Sequence, residues 1–343
     1  MLRSPHGSTL LTAAILIVVI ALVVVLGTQA SGGTQRVITD ALIKLIIVAG
    51  MYIFVGNSGV LSFGHIAFLG LGAYTAAWLT IAPSIKASLL PGLPEVLMTA
   101  QFSPFPAVIA GGLVAAVVAL IVGLPLVRLS GIAASIGTFA MLVVFYSVFA
   151  NWTPVTGGQG SLYGLPIYVN MFIAGGFAAA TIVGAALYQT SASGFRLRGS
   201  REDPVAAQAC GIDIRRERLV AFVVSAFFVG MGGALYAYFL QVVVANQFYL
   251  SLTFITVAML VIGGMRSLSG AFVGTAAVSI LTELQRIAER GIDFGFFVFE
   301  GRPGLQELGL AVAMLLILLF RPRGLLGMSE VGDLFRKHDK ENT

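Results

Sequence analysis

Charge is what this 343-residue chain has least of: Asp, Glu, Lys and Arg together make up 10% of it, against 58% hydrophobic residues. With a mean hydropathy of +0.96, it carries more apolar surface than a water-soluble core can bury, which excludes a soluble globular fold and implies a polytopic membrane protein. The single cysteine, Cys210, excludes a disulfide framework and a thiolate metal site within the chain. The three histidines are scattered at 6, 65 and 338. Only four lysines occur and none follows a glycine, so no GxxxxGKS/T loop is present to cradle nucleotide phosphates. HExxH, CxxC, GxSxG, and GxGxxG with a following acid are missing as well, which leaves no familiar catalytic motif. Mid-membrane carboxylates, which proton or sodium coupling usually demands, are scarce too.

Apolar runs and glycine are plentiful. Ten runs read as spans, at 10–26, 37–55, 66–82, 105–127, 131–150, 170–188, 219–240, 252–264, 270–288 and 305–320. Each is near the roughly 20 residues that a bilayer requires, the eighth being short. The 41 glycines suit close helix packing in lipid. In the first run 13 of 17 residues are Leu, Ile or Val. It exceeds the roughly 7 to 15 residues of a signal-peptide core, so it reads as a retained span although Thr28-Gln29-Ala30-Ser31 mimics a cleavage site.

The expected architecture is therefore an all-α polytopic membrane protein of about ten transmembrane helices, forming one domain over residues 1–343. Placing both termini in the cytoplasm puts 14 Lys or Arg inside and six outside: Arg36, Lys44, Lys86, Arg286, Arg290 and Arg302. The positive-inside bias supports that orientation, and it accounts for the net charge of +5 without nucleic acid. A charged tail, 321–343, would then lie inside.

The one long polar passage is FRLRGSREDPVAAQACGIDIRRER, residues 195–218, which holds six of the 20 basic residues. Within it Asp203 suits a helix N-cap, Pro204 the first helical position and Gly211 a left-handed stop, leaving about two turns from Val205 to Cys210. So short a helix needs neighbours or a partner to hold it. An ordinary basic cytoplasmic loop is the plainer alternative.

Two glycine-rich breaks interrupt the apolar pattern. GNSGVLSFGH, Gly56 to His65, is either a tight inner loop or a re-entrant segment, because non-helical backbone at that depth must be buried in protein or line a wet cavity. GGMRSLSGAFVG, Gly263 to Gly274, is the second. Outside, residues 83–106 hold five prolines, which rule out one continuous helix, and 151–168 carry Trp152, Tyr163 and Tyr168, suited to the interface. A partly membrane-resting outer segment is expected at 289–304, with Asp293, Glu300 and Arg302. Asp40 and Lys44 are spaced to pair on one helix face, and Glu283, the most embedded acid, precedes Arg286 by three residues. His65, closing its loop, is more often a packed polar residue than a ligand.

Three stretches in this order, 56–77, 198–237, and IGGMRSLSGAFVG with FRPRGLLG (262–274, 320–327), resemble branched-chain amino-acid ABC-transporter permeases of the LivM type. TGGQGSLYGLP at 156–166 is similar to that family's outer segment. Arg266 and Ala271 depart from it, standing where many members carry a small residue and proline. The resemblance implies a type II importer-like permease fold in the bacterial inner membrane, with no catalytic site, metal or cofactor in this chain. It implies partners as well: a second, LivH-type permease, two cytoplasmic ATPases that bind ATP and Mg, and an extracytoplasmic solute-binding protein. It makes 195–218 the segment that couples to the ATPases, with Arg198, Glu202, Asp203, Pro204, Ala207 and Gly211 matching most directly. The pathway would be lined by Asn57, Ser58, Ser62 and His65 with Gly263 and Gly264, and backbone N–H groups would meet a substrate carboxylate. The cargo is expected to be a branched-chain or related hydrophobic amino acid, with urea or short amides as the alternative. A self-sufficient ion-coupled transporter using Glu283 is the rival mechanism.

Overall fold

A computed structural model describes residues 5–289, 292–293, 298–299, 304–321, 324–327 and 330. Arg3, Arg290, Glu300, Arg302 and most of the expected tail lie outside the described residues. In chain order the helices are α1 (Pro5–Gly27), α2 (Gly32–Ser58), α3 (His65–Thr80), α4 (Pro83–Leu89), α5 (Glu95–Thr99), α6 (Pro104–Leu126), α7 (Gly131–Asn151) and α8 (Thr153–Thr156). They continue as α9 (Met171–Thr190), α10 (Ala192–Glu202), α11 (Pro204–Ala209), α12 (Ile214–Leu240), α13 (Leu250–Gly263), α14 (Leu268–Glu289) and α15 (Leu305–Phe320).

A helix stands at each of the ten expected apolar runs. Among the described residues eight helices are long and apolar enough to cross a membrane, one of them joining the 3₁₀ turn Ala245–Phe248 to α13. The other two, α3 and α15, have 16 residues each, short of what a bilayer core needs. Local chemistry sets several of the ends. The Ser31 hydroxyl accepts the Thr34 N–H to start α2, the Asn170 side chain accepts the Ile173 N–H to start α9, and Gly59, at φ +71°, closes α2.

The axis of the molecule is α12, which packs chiefly against α6, α3 and α2. Lipid tails give apolar helices little reason to associate, so close backbone approach has to supply the attraction. Glycine makes that possible where α3 crosses α12: a Cβ on Gly72 would lie 1.9 Å from the Gly230 carbonyl oxygen, and one on Gly233 would lie 1.9 Å from that of Leu69. A polar bond reinforces the α2–α12 contact, Ser225 donating to the Gly50 carbonyl at 2.7 Å inside the core.

The proline-rich region 83–106 is broken as expected, with α4 and α5 before α6. Lys86 joins them: fully buried, it donates to the carbonyls of Leu97 and Ala100 at 2.9 and 2.5 Å. The 151–168 region contributes α8 and a strand, β1 (Leu162–Tyr163), paired antiparallel with β2 (Val242–Val243) beyond the end of α12. Trp152 and Tyr163 are both exposed there.

Candidate functional site

The polar passage is more helical than a loop with one short helix. It comprises α10, α11 and the first turn of α12, so the apolar span expected from 219 extends back to Ile214 as a single rigid rod. Helix α11 runs Pro204–Ala209, one residue earlier at each end than its residue types suggested. The Asp203 carboxylate accepts the N–H groups of Val205 and Ala206 at 2.9 and 3.0 Å, satisfying two of the orphan donors at the N-terminus. Gly211 adopts φ +79° and Ile212 N–H returns to the Ala207 carbonyl, closing the other end. Asp213 repeats the cap for α12. Ala207 is the only residue from Asp203 to Gly211 that is buried, so nearly the whole of this turn faces outward.

The other matched residues divide between two roles. Arg198 turns inward, donating to the Gln189 carbonyl at the end of α9 (2.6 Å), its guanidinium 4.8 Å from the Phe195 ring centre. Glu202 stays at the surface and accepts from the Nε and Nη2 of Arg201 at 3.0 and 2.8 Å, with Arg266 3.7 Å away. Hydrogen bonding to Arg201, then that residue's charge, lowers the Glu202 pKa. Arg201 also donates to the Gly56 carbonyl at 2.6 Å.

The first glycine-rich break is helical only at its ends. Gly56, Asn57 and Ser58 are the last residues of α2, and only 59–64 leave helical geometry. Val60, Ser62 and Gly64 of that stretch are buried, Leu61 and Phe63 half-buried and Gly59 exposed, and α7 meets two of its backbone groups: the Phe63 N–H reaches the Thr138 hydroxyl at 3.3 Å, and Ser135 donates to the Leu61 carbonyl at 2.7 Å. This is the condition under which irregular backbone is tolerated at membrane depth. Asn57, Ser58, Ser62 and His65 are all buried. Asn57 donates to the Ile53 carbonyl, Ser58 accepts the Val60 N–H, and His65 Nδ1 meets Ser62 Oγ at 2.7 Å. The His65 ring is packed among Phe54, Phe68 and Phe222, with centroids 5.4 to 6.0 Å away.

The second break is the turn between α13 and α14, where Gly263 and Gly264 lie buried. A Cβ on Gly263 would fall 1.8 Å from the Gly270 carbonyl oxygen. The two breaks touch, since a Cβ on Gly56 would lie 2.9 Å from the Met265 carbonyl oxygen. Behind them the chain returns from α15: Leu325 and Leu326 donate to the carbonyls of Ile262 and Gly263, and the Glu330 carboxylate accepts from the first turn of α14. Beside the 59–64 loop an apolar recess of about 350 Å³ is lined by Phe63, Ile132, Ser135, Ile136, Phe139 and Phe254. A second recess, about 500 Å³, lies between α1, α2 and α14 with Ser279 and Glu283 on its wall. Glu283 is paired with Arg286 at 2.7 Å, and Asp40 with Lys44 at 2.6 Å.

A family model described as "Branched-chain amino acid transport system / permease component" matches residues 33–320. The chain belongs to that family of permeases. It is 27% identical to the high-affinity branched-chain amino acid transport system permease protein LivM of Escherichia coli (strain K12), over 94% of this chain and 77% of that protein. The Salmonella typhimurium LivM is 26% identical over the same shares. A probable branched-chain amino acid transport permease protein LivH of Methanocaldococcus jannaschii is 29% identical over 41% of this chain and 42% of its own length. No solved structure matches. For this permease, sequence reasoning missed Ser135, Thr138, Arg201 and Glu330 as residues of the assembly around the two glycine-rich breaks. All four act on backbone groups far away in sequence, which no local pattern announces. Arg201 stood within the polar passage and differed from its neighbours in no visible way.

Proposed function

We propose that this chain is the solute-conducting subunit of an ATP-driven importer for branched-chain or related hydrophobic amino acids, crossing the inner membrane ten times with both termini inside. On this reading α3 completes its crossing with the partly buried 59–64 segment. Two cytoplasmic ATPases supply the work, a LivH-type permease forms the other half of the conduit, and an extracytoplasmic binding protein delivers the cargo. The observation that carries the reading is α11, a capped turn exposed on nearly every side and braced by α10 and α12. A helix of six residues has no stability of its own. Its burial of a single side chain makes sense as a surface awaiting a partner. Membership of the permease family supports that partner being a nucleotide-hydrolysing subunit.

The ATPases would press on α11, and the single rod α12 would carry the movement toward α2, α3 and α6. Such coupling requires the two states of the pathway to meet α11 differently. An aliphatic side chain would pass along the recess at Phe63, Ile136, Phe139 and Phe254, with Asn57, Ser58 and the non-helical backbone that follows them serving its polar end once the pathway opens. The ion pair of Glu283 with Arg286 leaves that acid already matched, which disfavours the ion-coupled alternative.

The experiment replaces Glu202 and Asp203 together by lysine and measures co-purification of the ATPase subunits with uptake of radiolabelled leucine. Assembly and uptake are both expected to fall at least about tenfold, a coupling free energy within the usual range. Undiminished assembly and transport would remove the assignment.

A further inference from the structure

Immediately before α11 the chain makes two grips on the glycine-rich breaks. Arg201 Nη1 donates to the Gly56 carbonyl at 2.6 Å, 145 residues away in sequence. Gly59 lies against the stem of the same side chain, since a Cβ there would fall 2.7 Å from Arg201 Cγ. The other face of the guanidinium, through Nε and Nη2, holds Glu202 Oε1. That oxygen in turn faces Arg266 Nη1, on the turn between α13 and α14, at 3.7 Å. Gly56 and Met265 are themselves in contact, so one guanidinium stands where α10, the end of α2 and the α13–α14 turn converge. The next residue along the chain, Asp203, is the cap of α11.

We propose that Arg201 is a positioning residue that transmits displacement of α11 to both glycine-rich breaks, and that Arg266 extends the same link to the second one. The inference rests on the importer reading above. Stability alone is a poor account of the arrangement. The side chain of Glu202 is 59% exposed and that of Arg266 44%, and ion pairs in such positions add little to folding. Arg201, with a side chain only 13% exposed, is different. Its planar fork serves a carbonyl on one edge and a carboxylate on the other, a geometry that lysine cannot reproduce. A shift of α10 by about an ångström that the side chain does not absorb therefore moves Gly56 or breaks the bond. Either result alters the inner end of α2, and the 59–64 loop that follows it.

The test uses the whole transporter, with both permeases, the ATPases and the binding protein, in proteoliposomes. Arg201→Gln, Arg201→Lys and Arg266→Gln are compared with wild type by ATPase co-purification, by ATP hydrolysis and by leucine moved per ATP consumed. Co-purification is expected to be retained, and leucine per ATP to fall about tenfold in Arg201→Gln, a coupling loss within the range of roughly 5- to 150-fold. The lysine variant, which still reaches Gly56 but cannot fork, should recover part of that loss. Arg266→Gln should lose about threefold, as the outer member of the link. A stoichiometry equal to wild type in Arg201→Gln overturns the proposal. So does a parallel loss of assembly, hydrolysis and uptake at constant stoichiometry, the mark of a merely structural residue. A wild-type complex that moves no aliphatic amino acid would instead sink the importer reading, whatever Arg201 does.

Discussion

Ser269 gives both its backbone N–H, at 3.1 Å, and its hydroxyl, at 2.7 Å, to the carboxylate of Glu330, 61 residues further along the chain. The other carboxylate oxygen accepts the Leu268 N–H at 2.9 Å and faces Gln189 at 3.5 Å. An anion thus sits on the first turn of α14, where orphan N–H groups and the helix dipole both favour it. Glu330→Ala leaves those donors buried and unmet. It should cost about 1–3 kcal/mol of stability, and Glu330→Gln less because one acceptor survives. Thermal unfolding of the detergent-purified protein checks the order, and faster hydrogen exchange in the first turn of α14 should accompany it. Equal melting of wild type and Glu330→Ala would show that the cap does not hold the helix.

The crossing of α3 over α12 gives a second expectation. Gly72→Leu and Gly233→Leu each place a Cβ 1.9 Å from a backbone carbonyl oxygen, and neither neighbour has a flexible end to move aside. Overpacking of this kind costs at least about 1–3 kcal/mol, so the yield of monodisperse protein should collapse. Gly176→Leu on α9, with nothing within 4 Å of the new Cβ, is the control and should behave as wild type. Equal yields for all three would mean that the helices separate without penalty.

Lys86 supplies an expectation with a sign in pH. Burial lowers its pKa from the ordinary 10.5, so the unfolded chain keeps the proton to a higher pH than the folded one does. Stability therefore rises with pH between the folded value and the unfolded one. A neutral amine still has two hydrogens for the Leu97 and Ala100 carbonyls, so the bonds survive. Lys86→Met should lose about 1–3 kcal/mol, because two carbonyls lose their donor, and should lack the alkaline rise. Melting curves taken through the alkaline range up to pH 10.5 separate the two proteins. A wild type whose stability falls in that window contradicts the burial.

The spans and α11 were legible because each is announced by its own residues. Apolar runs marked the ten positions, and Asp203, Pro204 and Gly211 marked α11 to within one residue, since caps and stops act over three or four positions. What escaped was made by residues far apart in sequence. Nothing in GNSGVLSFGH says that α2 continues through Ser58, because that depends on Arg201 meeting the Gly56 carbonyl and on Ser135 and Thr138 of α7 supporting residues 59–64. Nothing near Ser269 names Glu330 as its cap. The polar residues expected to line a pathway illustrate the same limit. Their types suggested solute contact, yet in this structure Ser62 and His65 bond to each other and Asn57 bonds to its own helix, arrangements that depend on rotamers and not on composition.

Cys210 offers the most direct test of orientation. It is the chain's single cysteine, it is exposed, and it stands at the C-terminal end of α11. A membrane-impermeant maleimide therefore reports on this one turn without background from elsewhere in the chain. If α11 faces the cytoplasm, labelling should be near complete in inside-out vesicles and about tenfold slower in right-side-out vesicles. Adding the ATPase subunits should then slow the reaction by about the affinity-driven occupancy of the turn, tenfold or more when they are well above their dissociation constant. Labelling from the outer side alone would invert the topology and remove α11 from reach of any ATP-hydrolysing partner. Inner-face labelling that the ATPases never slow would keep the topology but move their docking surface elsewhere, leaving the capped turn, and the Arg201 link behind it, without a driver.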